Sequence, residues 1–153
     1  MRIQKIVSGG QTGADQAALD FAIAANLRHG GWIPKGRLTE EGPLPERYQL
    51  QEMPTESYPQ RTEQNVLDSD GTLIISHGIL TGGSALTLDL AVRHGKPHLH
   101  LDMQRTEMHD AKQLVTSWIT ENKINVLNVA GAKISKDPEI YDVTIKVLQA
   151  ILD

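Results

Sequence analysis

No cysteine occurs in the 153 residues, which removes disulfides, thiolate metal sites and a cysteine nucleophile from consideration. That absence suits a reducing compartment, and a cytoplasmic protein is expected. Aromatic residues are scarce, with one Phe, two Trp and three Tyr, and 15 Lys and Arg against 19 Asp and Glu leave a net charge of −4. A chain with neither a basic stripe nor stacking platforms suits no long nucleic acid, so no nucleic-acid polymer is expected as a partner. No apolar run approaches the roughly 18 residues that a membrane span needs. The opening Met1-Arg2-Ile3-Gln4-Lys5 leads straight into a short strand pattern without the apolar stretch of a signal peptide, so no membrane partner is expected.

What the chain does have is a 39% hydrophobic composition, enough at this length for one domain over residues 1–153 that buries a core without staples. Its organising stretch is Ile6-Val7-Ser8-Gly9-Gly10-Gln11-Thr12-Gly13-Ala14-Asp15, where an apolar run meets glycines and then a helical pattern. Strand, Gly-rich turn and helix in that order place unpaired N–H groups and a positive dipole end at one spot, which favours an anion such as phosphate. Neither G-x-G-x-x-G nor G-x-x-x-x-G-K-[ST] is matched, and a turn glycine can serve packing alone.

The remaining periodicity predicts strands over 3–8, 31–34, 71–76, 97–101 and 124–129 and helices over 13–27, 59–67, 85–94, 107–122 and 137–152. Residues 35–55 carry prolines, glycines and charges without a sustained period and are expected to form a long functional surface loop. The run Gly71-Thr72-Leu73-Ile74-Ile75-Ser76 has the β-branched character of a central strand buried on both faces. This alternation predicts an α/β fold: a doubly wound, mostly parallel sheet of about five strands with helices on both faces. The strand at 3–8 is expected beside the strand at 71–76, flanking the point where strand order reverses. Three turns with small and polar residues (9–13, 81–84 and 131–135) then open helices at one sheet edge.

Ser8, Thr12, Ser84, Thr87 and Ser135 sit in or beside these turns and can hydrogen-bond phosphate oxygens, although N-capping would use the same residues. Lys35, Arg37, Arg61 and Lys133 are candidate counter-charges. Arg61 and Asn65 share a helical face with Thr62 beside them, a polar ridge that suits a site wall or a solvated surface. His98, His100 and Asp102 alternate along one strand, a spacing that can hold a metal, but core histidines are the commoner outcome and no directly protein-bound metal is expected. Asp15, in the first helical turn, would repel a phosphate placed over it and suits a ligand's hydroxyl or amino groups instead.

Ser8-Gly9-Gly10-Gln11-Thr12-Gly13-Ala14-Asp15, Arg61-Thr62-x-x-Asn65-Val66, Ser69-Asp70-Gly71-Thr72-Leu73-Ile74, Leu80-Thr81-Gly82-Gly83-Ser84-x-x-Thr87, His94-Gly95-Lys96-Pro97 and Leu127-Asn128-Val129-Ala130-Gly131 together resemble the molybdenum-cofactor carrier proteins. That family belongs to a wider Rossmann-like group that includes the Lonely Guy phosphoribohydrolases. The resemblance implies a Rossmann-like fold, a molybdopterin-type cofactor or a nucleotide held by Gly-rich loops, and homo-oligomers. A tetramer or dimer is expected, using apolar helix faces around Val92 and Trp118. The expected binding set is Ser8, Gly9, Gly10, Gln11, Thr12, Gly13, Lys35, Arg61, Thr62, Asn65, Thr81, Gly82, Gly83, Ser84, Gly131 and Ser135.

The hydrolases' second motif, P-G-G-x-G-T-x-E-E, is altered here. Laid on residues 81–89, its proline is Thr81 and its first glutamate is Leu88, leaving only Asp89 acidic. Hydrolysis of an N-glycosidic bond needs a carboxylate near the ribose, which Leu88 cannot supply; Asp15 or Asp102 would have to substitute. The sequence therefore favours a storage and carrier protein over a nucleoside-monophosphate phosphoribohydrolase. A nucleotide-sensing module would use the same binding residues.

Overall fold

Residues 3–152 are described by the computed structural model. β1 (Lys5–Val7), α1 (Ala14–Ala24) and β2 (Arg28–Gly30) open the chain, followed by the short strands β3 (Trp32–Ile33), β4 (Leu38–Thr39), β5 (Gly42–Pro43) and β6 (Gln51–Glu52). Then come α2 (Tyr58–Leu67), β7 (Gly71–Ser76), α3 (Gly82–Arg93), β8 (His98–Asp102), α4 (Met108–Glu121), β9 (Val126–Gly131) and α5 (Ile140–Leu152). Five strands form one parallel sheet in the order β2-β1-β9-β7-β8. The α/β, doubly wound expectation is met, with the helices divided between its faces.

β7 shows why the faces differ. All six of its residues are buried, but Leu73 and Ile75 join the large core with Ala14, Ala18, Val115, Ile119, Val147 and Leu148. The period of two turns Thr72, Ile74 and Ser76 the other way, toward the layer where Val66 of α2 meets Leu90 and Ala91 of α3. β9 repeats the division: Leu127 and Val129 enter the large core, while Asn128 lies opposite Thr72 and donates from Nδ2 to its Oγ1 at 3.2 Å. On the large-core side α5 packs against both α1 and α4. The alanines of α1 at 14, 17, 18 and 22 are fully buried because their small side chains let the helix lie close.

Strand order departs from expectation. β1 and β7 are not neighbours, because β9 lies between them, pairing Lys5 with Val126 on one side and Gly71 with Leu127 on the other. The buried stripe Ile140, Thr144, Val147, Leu148 and Ile151 of α5 has its place between α1 and α4, and β9 occupies the sheet position beneath that layer. The second sheet strand also falls earlier than expected, at Arg28–Gly30. Gly31 takes φ 126°, and a Cβ there would stand 2.2 Å from the Ser8 carbonyl oxygen. The chain turns out of the sheet at that glycine, so Trp32–Ile33 pairs instead with Gln51–Glu52.

The segment 35–55 is more ordered than its composition suggests. Leu44, Tyr48 and Leu50 bury against Leu19 and Ile33, and the Arg37 guanidinium donates to the carbonyls of Leu44, Pro45, Tyr48 and Leu50 at 3.0–3.4 Å. Arg37 is thus a loop organiser rather than a counter-charge. Trp118 is partly buried against the large core, so the apolar face expected there for self-association is largely used within the chain. Val92 remains 54% exposed. No helix of the described residues is long and apolar enough to cross a membrane.

Candidate functional site

The turns after β1, β7 and β9 meet at the carboxyl edge of the sheet around a cavity of about 620 Å³. Of the expected residues, Gly9, Gln11, Arg61, Thr62 and Asn65 line one part, and Thr81, Gly82, Gly83, Ser84 and Gly131 another; Asp15 lines it too. Ser8, Gly10, Thr12, Gly13, Lys35 and Ser135 do not line it. Ser8, Gly10, Thr12 and Ser135 are turned to other partners, as their hydrogen bonds show.

At Gly9 the backbone, a cation and a carboxylate crowd together. A Cβ there would stand 2.5 Å from Arg61 Nη1 and 3.0 Å from Asp15 Oδ2, so only glycine lets the guanidinium lie over the loop and donate to the Gly9 carbonyl at 2.5 Å. Burial pushes the Asp15 carboxyl up to about 6, opposed by the Arg61 charge and by amide donors from Gln11 and Gly9. Burial likewise draws the Arg61 guanidinium below its ordinary range, opposed by Asp15 and Tyr58. Each charge makes the other's burial tolerable. Asn65 fixes the base of α2 by accepting from the Trp32 amide at 2.8 Å and donating to its carbonyl at 3.1 Å.

The three turns differ in whether their backbone donors are available. In the first, the Gly10 amide donates to Ser8 Oγ, Gln11 to Asp15 Oδ2, Thr12 to Gln11 Oε1 and Ala14 to the Ala132 carbonyl. Ser8 Oγ itself donates to the Asp15 carbonyl at 2.9 Å, which places Ser8 beneath the loop. In the third turn, Ile134 donates to Thr12 Oγ1, Ser135 to Glu40 Oε2, and Lys136 and Asp137 to the Lys133 carbonyl. At the start of α3, by contrast, the amides of Gly82, Gly83 and Ser84 have no protein acceptor among the described residues. Lys136 stands beside them, its Nζ 2.8 Å from where a Gly82 Cβ would be. First-turn amides, the helix dipole and an ammonium therefore face one spot.

Glu40 is the main contributor that sequence reasoning missed. From the long loop it accepts from the Thr12 hydroxyl and from both the hydroxyl and the amide of Ser135, while its own amide donates to Gln11 Oε1. Hydrogen bonds from Ser135 and then Thr12 hold its carboxyl below the usual range. Nothing local in the sequence marks that partnership. Other missed wall residues carried a signal: Asn128 interrupts a buried apolar strand, His77 follows the central strand, and Lys136 adjoins the third turn. His77 Nδ1 bonds Asp137 Oδ2 at 2.6 Å. Tyr58 lies under Arg61, whose Cζ is 5.5 Å from the ring centre.

The alternative acid Asp102 lies off the cavity. Its Oδ1 accepts from the amides of Gly78 and Gln104 at 2.8 and 3.0 Å, which ties down the turn after β7 and β8. Asp89 is exposed and pairs with Arg93 one helical turn on. The alternating histidines are spent likewise, His98 on the Lys96 carbonyl and His100 on Ser76 Oγ. Among the described residues no group of three or more His, Asp or Glu could hold a metal ion.

Residues 6–152 match the model of the circularly permutated YpsA SLOG family. A crystal structure from Syntrophus aciditrophicus SB, described as a "putative molybdenum carrier protein", is 60% identical; the match covers 99% of this chain and 96% of that one, with a TM-score of 0.97. No protein of curated function matches. The family model spans nearly the whole chain and the structural match covers 99% of it: the chain belongs to the circularly permutated YpsA SLOG family.

Proposed function

We propose that the chain is a single-domain carrier of a phosphate-bearing small molecule, a molybdopterin-type cofactor or a nucleotide, and that the ligand lies across the cavity with its phosphate on the α3 N-terminus. The observation that carries this reading is the donor inventory. Of three helix-opening turns at the sheet edge, 81–84 keeps the amides of its helix's whole first turn unspent, and it does so beside Lys136. The Asp15, Arg61, Thr62 and Asn65 end suits the hydroxyl and amino groups at the other end of such a ligand, because a carboxylate there accepts what a phosphate could not offer. Both candidate ligands fit this division into an anion end and a donor-reading end. Were the cofactor the ligand, the residues of the cavity would hold its phosphate and pterin.

The name of the 60%-identical relative supports the cofactor over other phosphate ligands. The hydrolase alternative draws on one observation, the buried Asp15 carboxyl with its raised pKa, a suitable acid or base if a ribose lies against it. The deciding experiment pairs equilibrium binding of molybdenum cofactor and a panel of nucleoside monophosphates with an assay for free base. Tight binding without turnover, weakened by Gly83→Asp or Arg61→Ala, supports the carrier. Base released at enzymatic rates and abolished by Asp15→Asn would replace it with the hydrolase. Self-association into a dimer or tetramer is part of the proposal, with exposed Val92 and the 91%-exposed Ile79 at the cavity mouth as its apolar surface. A monomer by sedimentation at tens of micromolar would reject it.

A further inference from the structure

We infer that His77 and Asp137 form a proton-accepting grip on the ligand's phosphate, so that binding of a dianionic phosphate group is coupled to proton uptake by the His77 imidazole. This rests on the placement of the phosphate at 81–84. His77 ends the run out of β7 and Asp137 closes the turn before α5, and both line the cavity. Their contact is Nδ1 to Oδ2 at 2.6 Å with side chains 21% and 17% exposed. An ionised carboxylate can only accept, so Nδ1 carries the hydrogen and Nε2 is the nitrogen with a lone pair to spare. Asp137 is itself held, because its Oδ1 accepts the Glu139 amide at 3.0 Å. The ring is thus anchored through one nitrogen by a carboxylate that cannot swing away. The other nitrogen has no protein partner among the described residues.

Neutral, that free nitrogen can only accept and has nothing to give a dianion. Protonated, it becomes a charged donor, with Asp137 on one side and the bound anion on the other to stabilise the imidazolium. No bond to the ligand forms or breaks; the proton comes from solvent and returns on release. Lys133 and Lys136 oppose the second charge and limit the effect, whereas Glu40 at the rim favours it. Asp102, bonded to the Gly78 amide, adds a fixed negative charge behind the turn. At the far end Asp15 titrates in the same pH window, so a bulk pH profile of affinity would mix the two and the test must watch His77 alone.

The probe is sulfate, a dianion throughout the range in which imidazole titrates, so any proton taken up goes to the protein. The Cε1 proton resonances of the six histidines are followed against pH in sulfate and in chloride at matched ionic strength. His77 is assigned by through-bond correlation and checked with His77→Gln. The expected result is a His77 midpoint raised by about half a unit or more in sulfate, equivalent to roughly threefold tighter binding to the protonated form. The other histidines should move less, and in Asp137→Asn the sulfate-induced change at His77 should shrink. Amide resonances of Gly82, Gly83 and Ser84 are recorded together with these. Amide shifts with an unmoved His77 midpoint overturn the grip and leave the phosphate site standing; no response from either overturns both.

Discussion

Substituting Gly83 by Asp should strengthen the fold while weakening the site, two effects of opposite sign from one carboxylate. No atom lies within 4 Å of a Cβ built at Gly83 and its φ is not positive, so the side chain enters open space. An acidic residue in a first helical turn gains about 0.3–1 kcal/mol from the dipole, and replacing a glycine restrains the unfolded chain by about another 0.5 kcal/mol. Melting should therefore rise by about 2–4 °C. The same charge, about 5 Å from a phosphate bound over the amides, costs about 1.5–3 kcal/mol at intermediate effective dielectric, which is about 10- to 100-fold in affinity. Thermal melting and equilibrium binding on one preparation measure both effects, and Gly83→Ala separates charge from bulk by keeping most of the binding. A Gly83→Asp protein that melts higher and binds as tightly as the parent would place the phosphate elsewhere; one that melts lower would refute the packing argument. Gly10→Asp is no substitute, because Gly10 has φ +79° and a Cβ there meets Leu50 Cδ2 at 3.0 Å; it should simply destabilise.

Asp15→Asn should stabilise the protein at pH 7.5 by about 1–3 kcal/mol in urea unfolding, because the wild-type carboxyl, pushed up to about 6 by burial, must ionise in place. The folded state binds the extra proton between the unfolded value near 4 and about 6, so this contribution is present at low pH and lost as pH rises through 6. The variant's advantage must therefore vanish toward pH 4; an advantage independent of pH would refute the assignment. Arg61→Ala strands the Asp15 charge and the Gly9 carbonyl, and should cost about 2–3 kcal/mol at pH 7 and less at pH 5, measured the same way. Glu40→Ala should hasten amide hydrogen exchange at Ser135 and in the 35–55 loop with a change in global stability under about 1 kcal/mol, since Glu40 is exposed.

Local patterns carried much of this protein. Alternating strands and helices, the β-branched run at 71–76 and the stripe of α5 made the fold class legible, because periodicity and burial are properties of neighbouring residues. So did the glycine at 9, since the close approach of the Arg61 guanidinium leaves room for no other residue there. Arg61, Thr62 and Asn65 were legible as one helical face, and the structure puts that face on the cavity.

Sheet order was not legible in this way. Whether β9 joins β1, β7 or both depends on which slot lets α5 pack between α1 and α4, a choice made by surfaces far apart in sequence. Nor did the three turns announce their different fates. Each supplies small and polar residues ahead of a helix, but an amide binds a ligand only if no protein acceptor has taken it. Ser8 and the Asp15 carboxylate take the Gly10 and Gln11 amides of the first turn, and Thr12 and Glu40, 122 and 95 residues away, take the Ile134 and Ser135 amides of the third. Composition determined that donors would gather at one edge of the sheet; only tertiary contacts decided which of them remained to hold an anion, because hydrogen bonds are satisfied by whatever the fold brings within about 3 Å.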